Sequence, residues 1–544
     1  MMRAFVQTRL SGRPAAFLPI AVHIEAMLAH PVLYGRSLWW YLIGKRMRAR
    51  LHLAPLLGQT PHAFALWLAR NGALPPVEQS AKPPRIVALI QDGEGSAATL
   101  ASLLAESIEA RVVSAVSDIE WAISDGEGWI MPVANGDIIA SGAGGYYRAA
   151  AARAPENCRV IYADDDLIDR KGRRHKPHFK PDWNSELFRH FDYVTGAALV
   201  RAARAPSIKG HEPDWAARLV TEAVDDSERE NGAIIHTHHI LHHRRSRPAP
   251  RLPLAQRLPA RAQETLPRVS VLVPTRNRVD LLANCLEGLS RTEYPQAPEI
   301  IVIDNGSDDP ATLAYLAQLD PAAVRVLRDD GPFNFAAINN RAVQQASGAL
   351  LCFLNNDIEI EETGWLVAMA RQAVRPDVGA VGAQLLYPDG RIQHAGVVIG
   401  IGGAAAHAHR LLKPDEEGYF HRHALPQFVS AVTAACMVVD RTKFDAVGGF
   451  DAERFAVSFN DVDLCLRLGA RGWCSLYEPR ARLVHHESVS RGLDRDKTGA
   501  ARQAREAAFL NDLWNTRLAT QGATRDPFHH PHLSRLSEHF VPAL

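Results

Sequence analysis

From Arg268 onward, apolar runs and amphipathic stretches follow one another with little between them. Residues 269–273 form a β-branched run that stops at Pro274, and residues 279–290 carry helical periodicity. Residues 300–303 are a second strand-like run, ending at Asp304. Residues 311–319 read as helix, 324–327 as strand and 336–346 as helix. Residues 349–354 read as a buried strand ending in Asn355-Asn356-Asp357. Strands alternating with helices predict βαβ units and a mostly parallel sheet, that is, an α/β fold. Ligands of such sheets bind beyond the carboxyl ends of the strands. The polar clusters fall there: Pro274-Thr275-Arg276-Asn277, Asp304-Asn305-Gly306-Ser307 and Asn355-Asn356-Asp357.

The same pattern divides the chain. Residues 1–80 read as helical and basic. Residues 84–245 alternate short apolar runs with helical stretches, a fainter version of the later plan. Residues 246–267 are rich in proline and arginine without periodicity, which reads as a linker. Residues 268–515 form the cleaner α/β unit and 516–544 a tail. The length of 544 residues suits two or three domains. Composition is that of ordinary globular protein, 47% hydrophobic and 22% charged. A formal net charge of +1 gives no global field to attract nucleic acid or an acidic partner.

The six cysteines (158, 285, 352, 436, 465 and 474) form no C-x-x-C pair, so neither a zinc site nor a disulfide framework is expected. Such usage fits a reducing, cytoplasmic compartment. There is no apolar run of membrane-spanning length and no clear signal peptide. Leu38-Trp39-Trp40-Tyr41-Leu42-Ile43, however, precedes Lys45, Arg46, Arg48 and Arg50. Two readings stand: a helix packed on its own domain, or one lying on an anionic membrane surface as a peripheral contact at the inner membrane.

No G-x-G-x-x-G turn follows the first strand of the second unit and no Walker A sequence appears, so phosphate is handled otherwise. An aspartate at a buried strand end can hold a divalent metal on a diphosphate, and Asp357 is placed for that. Asp304 ends another strand and can accept hydrogen bonds from a base or ribose.

Val-Ser-Val-Leu-Val-Pro-Thr-Arg-Asn-Arg (269–278) and Ile-Val-Ile-Asp-Asn-Gly-Ser-Asp-Asp (301–309) resemble the opening of family 2 glycosyltransferases, with their GT-A fold. Asn355-Asn356-Asp357 stands where that family has D-x-D. Gly448-Gly449-Phe450-Asp451 and the run Asn460-Asp461-Val462-Asp463 match its acceptor-side motifs. His485-His486-Glu487-Ser488 resembles the closing loop of members that build bacterial surface polysaccharides such as lipopolysaccharide O-antigen. The resemblance covers about 225 residues, with five motifs in order. It implies a GT-A-like, Rossmann-like catalytic domain, preceded by a degenerate GT-A-like domain and a helical N-terminal segment.

The same resemblance implies roles. Pro274, Thr275, Asn277 and Asn356 line the nucleotide-sugar pocket, Asp304 binds base or ribose, and Asn340 faces the nucleotide. Asp357 binds Mg²⁺ or Mn²⁺ through the diphosphate, and one of His485 and His486 approaches that site. Asp461 is the general base, while Asp463, two residues on, lies off its face and braces structure. Where many relatives have two carboxylates, Asn355-Asn356-Asp357 keeps one, so modest metal affinity is expected.

Each assignment has a plainer competitor. Asp357 is also a good turn residue after a strand, and Asp461 a good helix N-cap unless Asn460 takes that place. His394, His407 and His409 suit structural roles equally. His421, His423, His529, His530 and His532 read as solvated surface. Trp365 reads as a core aromatic. In the first half, Asn135-Gly136-Asp137 stands where a metal motif is expected, followed by Asp164-Asp165-Asp166 and Phe179-Lys180-Pro181-Asp182-Trp183. With no visible base motif before the linker, this copy reads as truncated and inactive, serving packing, acceptor binding or dimerisation; the plainer reading of Asp164–Asp166 is a solvated acidic turn, and the competing one is a second active site.

The expected activity is inverting transfer of a hexosyl or deoxyhexosyl group from a nucleotide sugar to a lipid-linked or polymeric glycan acceptor. The alternatives are a non-catalytic carbohydrate- or nucleotide-binding scaffold of polysaccharide assembly, and a nucleotidyltransferase.

Overall fold

A computed structural model describes residues 15–78, 82–91, 93, 95–113, 128–201, 214–252, 265–486, 497–521 and 525–544. Asp92 of the first-half turn, most of the proline-rich linker, and Glu487 and Ser488 lie outside the described residues. The N-terminal segment is helical as expected, with α1 (Leu18–Ala29), α2 (Pro31–Leu42), α3 (Arg46–Gly58) and α4 (Ala63–Asn71).

The first sheet contains β1 (Ile86–Gln91), β2 (Glu109–Val113), β3 (Trp129–Val133), β4 (Ile138–Ile139), β5 (Val160–Ile168), β6 (Arg174–His178), β7 (Ala198–Arg201) and β8 (Ile234–Arg244). Helices α5 (Ser96–Ala105), α6 (Ala143–Arg153), α7 (Ser185–His190) and α8 (Trp215–Arg229) intervene.

The second unit opens with β9 (Val269–Thr275), α9 (Val279–Ser290), β10 (Glu299–Asp304), α10 (Pro310–Gln318), β11 (Val324–Arg328), α11 (Phe335–Val343), β12 (Leu350–Leu354) and β13 (Ile358–Glu359). It continues through α12 (Trp365–Ala373), β14 (Val378–Leu386), β15 (Ile392–His394), β16 (Val397–Ile399), β17 (Ala405–His407) and β18 (Gln427–Val429). It ends with β19 (Cys436–Asp440), α13 (Arg441–Ala446), α14 (Asn460–Ala470), β20 (Cys474–His485) and α15 (Lys497–Gln521).

Strands β11-β10-β9-β12 are parallel, the core that the alternation of apolar runs and helices predicts. Beyond them β19 runs antiparallel to both β12 and β14, and β14 runs parallel to β20. Successive residues of the core strands are buried on opposite faces. Leu272, Ile301, Ile303, Leu351 and Phe353 meet α11 and α14, while Val271, Val273, Val302, Leu350 and Cys352 meet α9 and α12. Burial on both sides is why these strands read as unbroken apolar runs.

The two sheets share one strand order. The first runs β2-β1-β3-β7-β5-β8-β4 and the second β10-β9-β12-β19-β14-β20-β13, with β11 added at its edge. Each neighbouring pair also keeps its direction: β1–β2, β1–β3 and β5–β8 are parallel, as are β9–β10, β9–β12 and β14–β20. The pairs β3–β7, β5–β7 and β4–β8 are antiparallel, as are β12–β19, β14–β19 and β13–β20. The first half is therefore not truncated in its sheet, contrary to the expectation from its missing motifs. Its α8 stands where α14 stands in the second copy, with Asp214 immediately before Trp215.

The halves are joined by polar contacts of low exposure. Asn184 Nδ2 donates to Phe428 O at 2.8 Å, and Phe428 N returns a bond to Asn184 Oδ1 at 3.1 Å. Arg375 Nη1 lies 2.7 Å from Glu186 Oε2.

Candidate active site

The expected site residues converge at the carboxyl ends of β9, β10 and β12. Asp304 is aligned with Thr275 across the β9–β10 pair. Asn356 Nδ2 donates to Thr275 Oγ1 at 3.0 Å, which ties the β12 terminus to β9. Pro274 is half-buried beside them and Thr275 is buried. Asp304 is also buried, and its carboxylate accepts from Ser307 N at 2.9 Å and from Arg328 Nη1 at 2.5 Å. Arg328, the more exposed partner of this pair, is a residue the sequence patterns did not single out.

Two expected pocket residues are occupied otherwise. Asn277 sits at φ +54°, a left-handed conformation that asparagine tolerates better than most residues. Its Oδ1 accepts from Asp308 N and Asp309 N, both at 3.0 Å, while its Nδ2 donates to Asp308 Oδ1 at 2.8 Å. It stitches two loops together. Asn340, expected to face the nucleotide, exchanges two bonds with the backbone of Phe450: Nδ2 to O at 2.8 Å and N to Oδ1 at 3.0 Å. It braces the Gly448-Gly449 turn. A Cβ at Gly449, itself at φ +70°, would stand 2.7 Å from Asn340 Oδ1. The turn residues and Asn340 thus specify one another.

The histidine pair divides as alternation along an extended strand requires. His485 turns inward, with Nε2 3.1 Å from Asp357 Oδ1, whereas His486 Nε2 faces Glu359 Oε2 at 2.9 Å. His485 Nδ1 lies 2.7 Å from Gln393 Oε1 on β15. With that oxygen accepting, Nδ1 carries a hydrogen and Nε2 is the ring nitrogen directed at the carboxylate. Burial pushes the Asp357 carboxyl up, but the adjacent His485 outweighs it, and the group lies below the ordinary aspartate value. A carboxylate oxygen beside an imidazole nitrogen, with a further polar residue setting the ring, suits a divalent cation that takes its remaining ligands from phosphate and water. Gln393 went unnoticed in the sequence, although its neighbour His394 did not.

Asp461 lies at the start of α14. Its Oδ2 accepts from Ala434 N at 3.0 Å and its Oδ1 from Val462 N at 2.8 Å. Burial raises its pKa above the ordinary aspartate value, against the pull of these backbone donors and the Thr433 hydroxyl. Ala435, the next residue, accepts from Asn355 N at 3.0 Å. The segment that holds Asp461 is thus bonded to the loop carrying Asp357. Asp463 accepts two bonds from Arg467, at 2.9 and 2.6 Å, one helical turn away. It is the bracing carboxylate. Neither asparagine nor aspartate caps this helix: the cap position is Phe459 in a left-handed conformation, and Asn460 donates to Val457 O at 2.9 Å. Trp365 is a core residue, donating from Nε1 to Thr292 Oγ1 at 3.1 Å.

The acidic run of the first half is not a solvated turn. Asp164, Asp165 and Asp166 are fully buried, and each meets cationic or imidazole partners. Lys180 Nζ lies 2.8 Å from Asp165 Oδ2, and Arg247 also pairs with Asp165. Arg174 and His243 hold Asp166 at 2.6 and 2.7 Å. His530 of the C-terminal tail lies 2.7 Å from Asp164 Oδ2.

Asp164, His236 and His530 each bring one ligand atom to a common point, a grouping that could hold a metal ion. His236 presents both ring nitrogens to carboxylates, Asp164 at 3.0 Å and Asp182 at 3.2 Å. His530 Nδ1 accepts from His532 N at 3.0 Å, while its Nε2 and Asp164 Oδ2, 2.7 Å apart, make no hydrogen bond among the described residues. The cluster brings the tail against the first sheet. His423, His529 and His530 are accordingly buried rather than on the surface. His394 and His407 are buried against each other, their Nδ1 atoms 2.7 Å apart, and burial pushes His407 down to about 4.

Residues 270–446 match the family described as Glycosyl transferase family 2. An uncharacterised protein of Sinorhizobium fredii, y4gI, is 38% identical over 434 residues, covering 71% of this chain and 46% of the relative. O-antigen biosynthesis protein RfbC of Myxococcus xanthus is 36% identical over 507 residues, covering 82% of this chain and 38% of the relative. An N-acetylglucosaminyl-diphospho-decaprenol L-rhamnosyltransferase of Mycobacterium tuberculosis is 29% identical over 240 residues, 41% of this chain and 76% of the relative. The matched part of the chain thus spans less than half the length of the first two relatives. With the parallel strand core, the strand-end aspartate and the ordered motifs in place, residues 270–446 carry a family 2 glycosyltransferase domain, with a GT-A-like α/β fold.

Proposed function

We propose that the second unit transfers a sugar from a nucleoside-diphosphate sugar to a hydroxyl of a growing cell-surface glycan, with inversion at the anomeric carbon. The observation that carries this reading is the joining of two opposite chemistries on one bonded segment. Asp357 and His485 face each other at the β12 terminus, and Asp461, with its raised pKa, is anchored through Ala434 beside Asn355.

Asp461 takes the proton from the acceptor hydroxyl as that oxygen attacks the anomeric carbon. A raised pKa makes it a better base at neutral pH than an ordinary aspartate. Thr275, Asn356 and Asp304 orient the nucleotide at the strand ends. Asp357 and His485 are the residues that would hold Mg²⁺ or Mn²⁺, which when bound neutralises the departing diphosphate. A single base acting opposite the leaving group leads to inversion. The names of the RfbC and rhamnosyltransferase relatives favour a polysaccharide or lipid-diphosphate-linked acceptor.

We assign the first copy a packing role rather than a second reaction. Its strand-end aspartate, Asp137, has Arg244 Nε at 3.6 Å and accepts from Arg245 N at 2.7 Å. Fixed arginines stand where the second copy has room for a cation. The test is a panel of nucleotide sugars, with nucleoside diphosphate release followed with and without EDTA. Release from one donor, abolished by EDTA and restored by Mn²⁺, is the expected result. Neither binding nor release with any donor would overturn the reading.

A further inference from the structure

The N-terminal helices leave an apolar surface that the rest of the chain does not cover. Most of the exposed large hydrophobic side chains among the described residues lie between residues 17 and 47. Helix α1 is apolar on two sides. Leu18, Ala21, Val22 and Ala26 face inward, while Ile20, Ile24, Met27 and Leu28 form a second stripe at helical spacing that is exposed, Leu28 at 72%. In α2 the only buried residue is Ser37, and Trp39 and Leu42 are exposed at 60% and 71%. A helix apolar all round is stable only when something apolar surrounds it. The reading in which residues 38–43 pack on their own domain does not describe this helix.

Charge indicates what covers the surface. Arg36, Lys45, Arg46, Arg48 and Arg50 border it, and Arg36 and Arg48 lie over the Trp40 ring at 4.9 and 5.2 Å from its centroid. The one acidic residue from 15 to 58 is Glu25, which is paired with His62. Basic groups and indoles rimming an aliphatic face suit the interface of an anionic bilayer, where rings sit at headgroup depth and cations meet lipid phosphate. No helix of the described residues is long and apolar enough to cross a membrane.

We infer that α1 and α2 form a docking unit that inserts shallowly into a bilayer rich in anionic phospholipid. The inference rests on the proposed glycan transfer only for its purpose, which is to bring the enzyme to a lipid-linked acceptor.

The test is sedimentation of the full chain with phosphatidylcholine vesicles, with and without phosphatidylglycerol, at low and high salt. Binding to the anionic vesicles, weakened by salt, is expected. The double variant Trp39→Glu/Leu42→Glu is expected to lose binding at least tenfold, and Lys45→Glu/Arg46→Glu to lose the preference for anionic lipid. Release of nucleoside diphosphate from a soluble donor is expected to persist in both variants, so failure to dock and failure to transfer are read separately. Absence of vesicle binding by the unmodified chain overturns the inference. So does a dimer in solution that Trp39→Glu/Leu42→Glu dissociates without any change in vesicle binding.

Discussion

His243 and His485 occupy matching places in the two sheets. His243 pairs across the strands with Ile138, which follows Asp137, and His485 with Ile358, which follows Asp357. Their contacts then differ: His485 faces the strand-end aspartate at 3.1 Å, whereas His243 turns to Asp166 and leaves Asp137 to Arg244 and Arg245. One backbone plan thus carries an aspartate–histidine pair in one copy and a built-in guanidinium in the other.

Asp461→Asn keeps the shape of the side chain and removes the base. The expected outcome is a fall in kcat of about 10²–10⁴-fold with little change in the KM for donor. Initial rates of nucleoside diphosphate release with acceptor present measure it; a loss smaller than tenfold removes Asp461 from the role.

The acid limb of kcat should report the same group. Asp461 works only when ionised, and burial raises its pKa. The limb is therefore expected above the ordinary aspartate range of about 4. A pH profile at saturating substrates checks this, and the residual activity of Asp461→Asn should lack the limb.

Gln393 sets the His485 ring at 2.7 Å. Gln393→Leu should raise the Mn²⁺ concentration for half-activation by about 10–100-fold, while kcat at saturating Mn²⁺ is largely kept. His485→Ala should weaken metal activation at least as much. Titration of activity with Mn²⁺ after EDTA treatment distinguishes these outcomes from a general loss of folding.

Asp137 gives a stability signature in the first copy. Burial raises its pKa to about 6, against the opposing pull of Arg244. A carboxyl raised on folding contributes stability below its unfolded pKa of about 3.9, and that contribution is lost as pH rises through the folded value. Relative to the unmodified chain, Asp137→Asn should therefore gain as pH rises from 4 to 7, by about 2 kcal/mol. Chemical denaturation at both pH values measures the difference, and sugar transfer should be unchanged.

Asp165→Ala should cost about 3–5 kcal/mol, because it strands Lys180 and Arg247 in a buried setting. The burial of Asp164–Asp166 makes this a destabilised protein rather than a silent substitution, with transfer retained by the folded fraction. The denaturation midpoint, paired with activity per folded molecule, checks it.

Much of the second unit was legible because its signals are local. Residues 269–273 and 349–354 are apolar without alternation since both sheet faces are covered, and their polar ends mark the site wherever the strands pair. Asp357, Asp304 and Asp461 were singled out in this way and through the ordered motifs. The first half was harder to read. Its turns have lost the matching residues, yet its strand order depends on backbone pairing and buried side chains, both of which tolerate wide substitution.

By itself the sequence determined the α/β plan of residues 268–485, the strand-end aspartates and the family. Tertiary structure decided which side chains are spent on holding the site and which face it. It turned His485 rather than His486 toward Asp357, gave Asn340 to Phe450, and buried Asp164 against His530. The reason is physical. Periodicity and turn chemistry act between residues a few places apart, whereas the partner of a buried polar group can come from anywhere in the chain, and only the packed fold brings the two together.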